Sequence, residues 1–173
     1  WNGEHSDINL NTGFNRYTPV PDDFRHYLTE KDQSGNDHLV FPVLKDKNGD
    51  IWVGTRHSDK IFRIGGNWDV TQKSFLTQVE GKNGIRIKSM VQDSSGIWMG
   101  CTENYLIRYD FNTKNFIPIR IEEKNSKGEP LVLGIHNLLY SGTDLLINGK
   151  EGIYLYSVST GKTRQVYRYE FYD

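Results

Sequence analysis

Cysteine occurs once, as Cys101, so no intrachain disulfide can form and no metal cluster built on several thiolates can be held. The histidines at 5, 26, 38, 57 and 136 show no His-x-x-x-His spacing, so neither a metal nor a cofactor is expected. No apolar run approaches the roughly 20 residues needed to span a bilayer. The opening Trp1-Asn2-Gly3-Glu4-His5 has neither the basic end nor the apolar stretch of a signal peptide, so any targeting segment has been removed or lies upstream. A net charge of −1 provides no broad attraction to nucleic acid or an anionic membrane, and nucleic acid is not an expected partner. No segment carries a helical apolar stripe.

What is present is a sequence rich in aromatic residues, 13% of the chain, and in glycine, with 17 copies. The apolar residues fall in short runs separated by Asn, Asp, Gly and Ser, the pattern of many short strands joined by tight turns. A segment also recurs. Asp46-Lys47-Asn48-Gly49-Asp50-Ile51-Trp52-Val53-Gly54 returns as Asp93-Ser94-Ser95-Gly96-Ile97-Trp98-Met99-Gly100, with the two tryptophans 46 residues apart. An array of one supersecondary unit is the expected architecture.

Each unit reads as a four-stranded meander. The middle unit runs Arg86 to Val91, Ile97 to Cys101, Tyr105 to Tyr109 and Phe116 to Ile121. The preceding unit runs Leu39 to Leu44, Ile51 to Thr55, Lys60 to Ile64 and Ser74 to Val79. The following one runs Leu133 to Tyr140, Leu145 to Asn148, Ile153 to Tyr156 and Thr163 to Tyr169, with Ile147-Asn148-Gly149 in the Trp-x-Gly place. Trp1-Asn2-Gly3 begins a partial unit continued by Gly13 to Tyr17 and Phe24 to Leu28. The expected fold is all-β, a partial β-propeller of about three and a half four-stranded antiparallel blades, divided at 1–30, 31–81, 82–128 and 129–173.

Radial stacking of such sheets buries both faces and leaves only short edges. The indoles of Trp52 and Trp98 would fill the wedges between sheets, each covering ~150–250 Å². Gly54 and Gly100, two residues on, would point the same way and let the neighbouring sheet approach. Trp1, Gly3 and Gly149 mark the same places in the outer units. Exposed edges at both ends would invite association, as a homodimer or edge to edge.

The pattern Asp-x-x-Gly-x-(x)-Trp-x-Gly, followed by Leu-x-x-Tyr-Asp and a Thr-Gly or Thr-Lys turn, resembles the two-component regulator propeller repeat. Its carriers are Asp46, Gly49, Trp52, Gly54 and Thr55; Asp93, Gly96, Trp98, Gly100, Leu106, Arg108, Tyr109, Asp110 and Thr113; and Tyr156, Thr160 and Gly161. The resemblance implies a fragment of the periplasmic sensor domain of a Bacteroides-type hybrid two-component system. There, two seven-bladed propellers precede an immunoglobulin-like domain, one membrane span and a histidine kinase, and the receptor detects glycan fragments. It thus implies a non-enzymatic fragment of a membrane-anchored inner-membrane receptor, with an oligosaccharide ligand. A lyase-type propeller and a protein-interaction scaffold are the alternatives.

No catalytic constellation stands out. Asp46 to Asp50 opens like a calcium loop, but glycine falls at the fourth place and His57 stands where the bidentate Glu belongs, so turn chemistry explains it better. Cys101 reads as a small core residue, and Glu122-Glu123 and Asp22-Asp23 as solvated loop charges. The candidate ligand-binding residues lie in loops that share one face of a propeller: Arg56, His57, Lys60, Lys82, Glu103, Lys150 and Glu151. Trp68 and Tyr105 are candidates for stacking on a pyranose ring, and Arg56, Lys60, Lys82 and Lys150 form a basic set suited to an acidic sugar. Polar loops occur on any propeller, which is the plain alternative for all of them.

Overall fold

The computed structural model describes residues 14–17, 24–27, 40–55, 60–67, 69–74, 85–122, 128 and 133–170. All regular structure among them is strand. A two-stranded sheet pairs β1 (Phe14–Tyr17) with β2 (Phe24–Tyr27). Three four-stranded antiparallel meanders follow. The first joins β3 (Val40–Lys45), β4 (Ile51–Thr55), β5 (Lys60–Ile64) and β6 (Val70–Ser74). The second joins β7 (Ile87–Gln92), β8 (Gly96–Cys101), β9 (Tyr105–Asp110) and β10 (Phe116–Arg120). The third joins β11 (Asn137–Tyr140), β12 (Asp144–Asn148), β13 (Gly152–Ser157) and β14 (Thr163–Arg168). The first strands β3, β7 and β11 lie side by side, so the sheets radiate from a common line as blades, without closing into a ring.

The recurring Asp and Trp are chemically linked. In the second blade the Asp93 carboxylate accepts the N–H groups of Ser95 and Gly96, each at 2.7 Å, and so closes the β7–β8 turn. Its other oxygen accepts the Trp98 indole N–H at 2.7 Å. Arg108, opposite Trp98 on β9, pairs with the same carboxylate at 3.2 Å and lies over the indole ring at 4.9 Å. The first blade repeats the device, with Asp46 accepting from Asn48 N, Asp50 N and Trp52 Nε1. There Arg63, opposite Trp52, pairs with Asp50 and lies 5.8 Å from the ring. One carboxylate therefore caps a turn and satisfies a buried indole, which explains why Asp and Trp recur together.

Each indole fills one wedge. Trp52 packs among Ile85, Ile87, Ile97, Met99, Ile107 and Tyr109 of the next blade, its ring 4.6 Å from that of Tyr109. Trp98 packs among Leu133, Leu138, Leu145, Ile147, Tyr154 and Tyr156 of the third. At Gly100 an added Cβ would stand 2.6 Å from Ile135 Cγ2, so the bare backbone is what admits the adjoining blade. The Ser89 hydroxyl donates to Asn137 Oδ1 at 2.7 Å and accepts Leu138 N–H at 3.0 Å, tying β7 to β11.

Three sequence expectations need correction. The fourth strand of the first blade is Val70–Ser74 and not Ser74 to Val79. The chain reverses at once through Gly65-Gly66-Asn67, pairing Ile64 with Val70, and the polar Thr71-Gln72-Lys73 suits an outer strand that needs no apolar alternation. The first strand of the third blade begins at Asn137, while Leu133 and Ile135 are buried in the crossover ahead of it. The third correction concerns register. The Ser141–Asp144 turn has the same closure as Asp93–Gly96, so Leu146, opposite Leu155, occupies the Trp place and Asn148 the Gly place. Ile147 and Gly149 lie one residue further on, and Ile147 points back toward Trp98 because a shift of one residue exchanges the faces of a strand.

The Tyr-Asp…Thr signature is also a turn device. Asp110 Oδ1 accepts from Asn112 N, Thr113 N and Thr113 Oγ1, and these bonds hold its carboxyl below the ordinary 3.8. Lys114 then adopts a left-handed φ of 57°, the place Gly161 takes in the third blade at 68°. Lys114→Gly is expected to stabilise the chain by up to about 1 kcal/mol in urea denaturation, because only glycine adopts that conformation without steric cost.

Candidate functional site

In a meander of this kind the β4–β5, β8–β9 and β12–β13 loops emerge at the same end as the crossovers between blades. Hydrogen bonds tie together the described part of that end, around the β8–β9 and β12–β13 loops. Glu103 and Asn104 both have left-handed φ, 62° and 61°, in the tight β8–β9 turn. Asn104 accepts Ile121 N–H on its carbonyl at 3.0 Å and Leu133 N–H on its side chain at 2.7 Å, so it holds both ends of the second crossover. Lys150 N–H donates to Leu133 O at 2.6 Å and fixes the β12–β13 loop to the same crossover.

An open cleft of about 380 Å³ sits beside this loop, lined by Lys150, Glu151, Arg168 and Tyr169. Arg168 ends β14 opposite Gly152, and Tyr169 N–H donates to Glu151 O at 3.0 Å, so the strand end and the loop face each other. Tyr169 is fixed by its hydroxyl, 2.6 Å from Asn148 Oδ1, and by an edge contact with Tyr167 at 5.9 Å. Beneath lies the buried Tyr154, whose hydroxyl accepts from Gln165 Nε2 at 3.3 Å. Burial pushes that hydroxyl above its ordinary range; Glu151 and Tyr169 add to the rise and the Arg168 charge opposes it. Two cations, one carboxylate and a fixed phenol can recognise a polar anionic molecule, but they form no nucleophile–base pair.

Of the candidates read from sequence, the structure brings Lys150 and Glu151 together in this cleft. Lys60 begins β5, half-buried, its carbonyl accepting from Thr55 Oγ1 at 3.2 Å. Glu103 is exposed on its tight turn. Tyr105 packs against the first core cluster, a structural contact more than a stacking platform. Arg56, His57, Trp68, Lys82, Trp1 and Gly3 lie outside the described residues. Arg168 and Tyr169 were not candidates in the sequence. Their signal was positional, since the end of a fourth strand must return to the loop joining the second and third.

The family model for the two-component regulator propeller matches residues 34–57. No curated protein matches the chain in sequence. Among solved structures, the extracellular domain of a B. thetaiotaomicron protein assigned to the hybrid two-component systems is similar, with TM-score 0.64 and 17% identity over 91% of this chain. This chain spans only 20% of that one. A catalytically inactive variant of virginiamycin B lyase from Staphylococcus aureus, solved with quinupristin, gives TM-score 0.61 and 13% identity over 85% of this chain and 46% of the lyase. Saccharomyces cerevisiae Sqt1 gives TM-score 0.56 and 14% identity over 76% of this chain and 36% of its own. Likeness to proteins so different in kind identifies the fold and leaves function to the site. One stretch of the chain, residues 34–57, matches the two-component regulator propeller repeat, and the described residues fold as successive, unclosed blades of a β-propeller.

Proposed function

We propose that this chain is part of the extracytoplasmic sensor of a hybrid two-component regulator, responds to an oligosaccharide, and performs no catalysis itself. The observation that carries the reading is the regulator propeller match at residues 34–57, within blades shaped like those of an extracellular two-component domain. The hydrogen bonds that tie the β8–β9 and β12–β13 loops to the chain around them support it, because a surface that reports ligand binding must transmit force rather than absorb it. In this reading the parent is periplasmic at this end, anchored in the inner membrane and coupled to a kinase. Two copies associate through blade edges, the outermost backbone being a ready template for pairing.

Isothermal titration of the chain with a panel of neutral and acidic oligosaccharides tests the ligand class. Saturable heat with at least one saccharide is the expected result; none with any member would overturn it. The lyase likeness supplies a second reading, and turnover of quinupristin by the chain would put it in that class instead.

A further inference from the structure

The third blade departs from the second at one corner, and the departures converge on the cleft. The backbone frame is the same in both. Thr102 N–H donates to Arg86 O as Lys150 N–H does to Leu133 O, and Ile121 N–H donates to Asn104 O as Tyr169 N–H does to Glu151 O. Those bonds equate Thr102 with Lys150, Asn104 with Glu151, and Ile121 with Tyr169. In the second blade the three residues are structural: Thr102 Oγ1 accepts Arg86 N–H, the Asn104 amide holds Leu133, and Ile121 is buried in the core. In the third blade the same places carry a cation, a carboxylate and a phenol, and three of the four described residues that line the cleft are thereby new.

The fourth, Arg168, has its counterpart in Arg120, each ending the outer strand. Arg120 is paired with Glu122 at 3.5 Å, whereas Arg168 has no ion pair among the described residues. Lys150 likewise has none. Two cations with no ion pair among the described residues thus face one cleft, with a volume inside the roughly 300–1,000 Å³ typical of small-molecule sites.

We infer that the Lys150–Arg168 cleft binds a uronate residue of an acidic oligosaccharide. This rests on the saccharide-sensor reading and names its ligand class and place. The Arg168 guanidinium offers a planar fork matched to a sugar carboxylate, and the Lys150 ammonium adds a point charge beside it. Glu151 accepts from ring hydroxyls, which the donor-only Lys150 and Arg168 cannot do. Tyr169, already held by Asn148 and Tyr167, gives a wall that needs no ordering when the ligand enters.

Titration of the full chain with trigalacturonate and with neutral maltotriose tests this. Trigalacturonate should bind at least tenfold more tightly, and its affinity should fall as salt rises from 50 to 500 mM. The Lys150→Ala/Arg168→Ala double variant should lose at least tenfold for trigalacturonate. Arg120→Ala, at the equivalent place in the second blade, should lose nothing, and the charge-keeping Lys150→Arg should stay near the parent. Both altered side chains are exposed, and a circular dichroism spectrum matching the parent would show that the fold persists. Maltotriose bound as tightly as trigalacturonate would overturn the uronate assignment and leave the sensor reading standing. Trigalacturonate bound equally by parent and double variant would overturn the cleft, and no binding of trigalacturonate would overturn the uronate assignment while the wider saccharide panel decides the sensor reading.

Discussion

Replacing Trp98 by alanine is expected to destabilise the chain by about 3–5 kcal/mol, read as the loss of unfolding free energy in urea. Trp98 is 2% exposed and sits among Leu133, Ile135, Leu138, Leu145, Ile147, Tyr154 and Tyr156. Its removal opens a cavity between two blades that cannot collapse, because β7 and β11 are already bridged through Ser89 and Asn137. The polar consequences add to the apolar one. Asp93 loses the indole donor at 2.7 Å, and Arg108 loses the ring it covers. The third blade supplies an internal comparison. Leu146 occupies the same register position but is only half-buried, so Leu146→Ala should cost about 1 kcal/mol. Equal losses at the two positions, or a loss under 1 kcal/mol at Trp98, would contradict the wedge role.

That contrast shows how much of the architecture could be read from residues. Tryptophan, glycine and aspartate in fixed order identified the second strand of the first two blades, because each answers a demand that few other residues meet. Trp98 fills a wedge, Gly100 leaves room for Ile135, and Asp93 closes a turn. The third blade has no tryptophan, and without it an aliphatic run of Leu145-Leu146-Ile147 offers three registers of similar hydrophobicity. Only the length of the Ser141–Asp144 turn decides among them. Strand β6 was misplaced for a related reason, since Thr71, Gln72 and Lys73 on an outer strand carry no apolar alternation.

The candidate site was less legible. Lys150 and Glu151 could be chosen because loops between the second and third strands share an end of any propeller. Arg168 and Tyr169 join them through the β13–β14 register, which shifts between Ile153 and Tyr154, and a sequence gives no direct sign of such an irregularity. Knowing that Asp93 binds an indole was equally out of reach. Turn chemistry alone explains an Asp before a glycine, so nothing in the spacing required a second role for its other oxygen.

That second role makes Asp93→Ala the other severe change, expected to cost about 3 kcal/mol or more. Asp93 and Arg108 have side chains only 4% and 17% exposed, so removing the carboxylate leaves a largely buried guanidinium without its partner. The turn N–H groups of Ser95 and Gly96 and the indole N–H of Trp98 lose their acceptor in the same step. Acid should act as a milder version of the mutation. Burial by itself would raise the Asp93 carboxyl, but the Ser95 N–H, the Trp98 indole, the Arg108 charge and the Gly96 N–H outweigh it and hold it below the ordinary 3.8. A carboxyl lowered by folding binds its proton more readily in the unfolded chain. Its contribution is therefore complete above about pH 4 and is lost as pH falls through the lower folded value. Asp93→Asn keeps the volume and an acceptor for the turn, but turns an amide toward the indole and Arg108. Its unfolding free energy should consequently be lower than the parent's at pH 7 and decline less between pH 5 and 2. Parallel acid profiles for parent and Asp93→Asn, measured by urea denaturation across that range, would show that the carboxylate does not join the turn, the indole and the arginine in one stabilising unit.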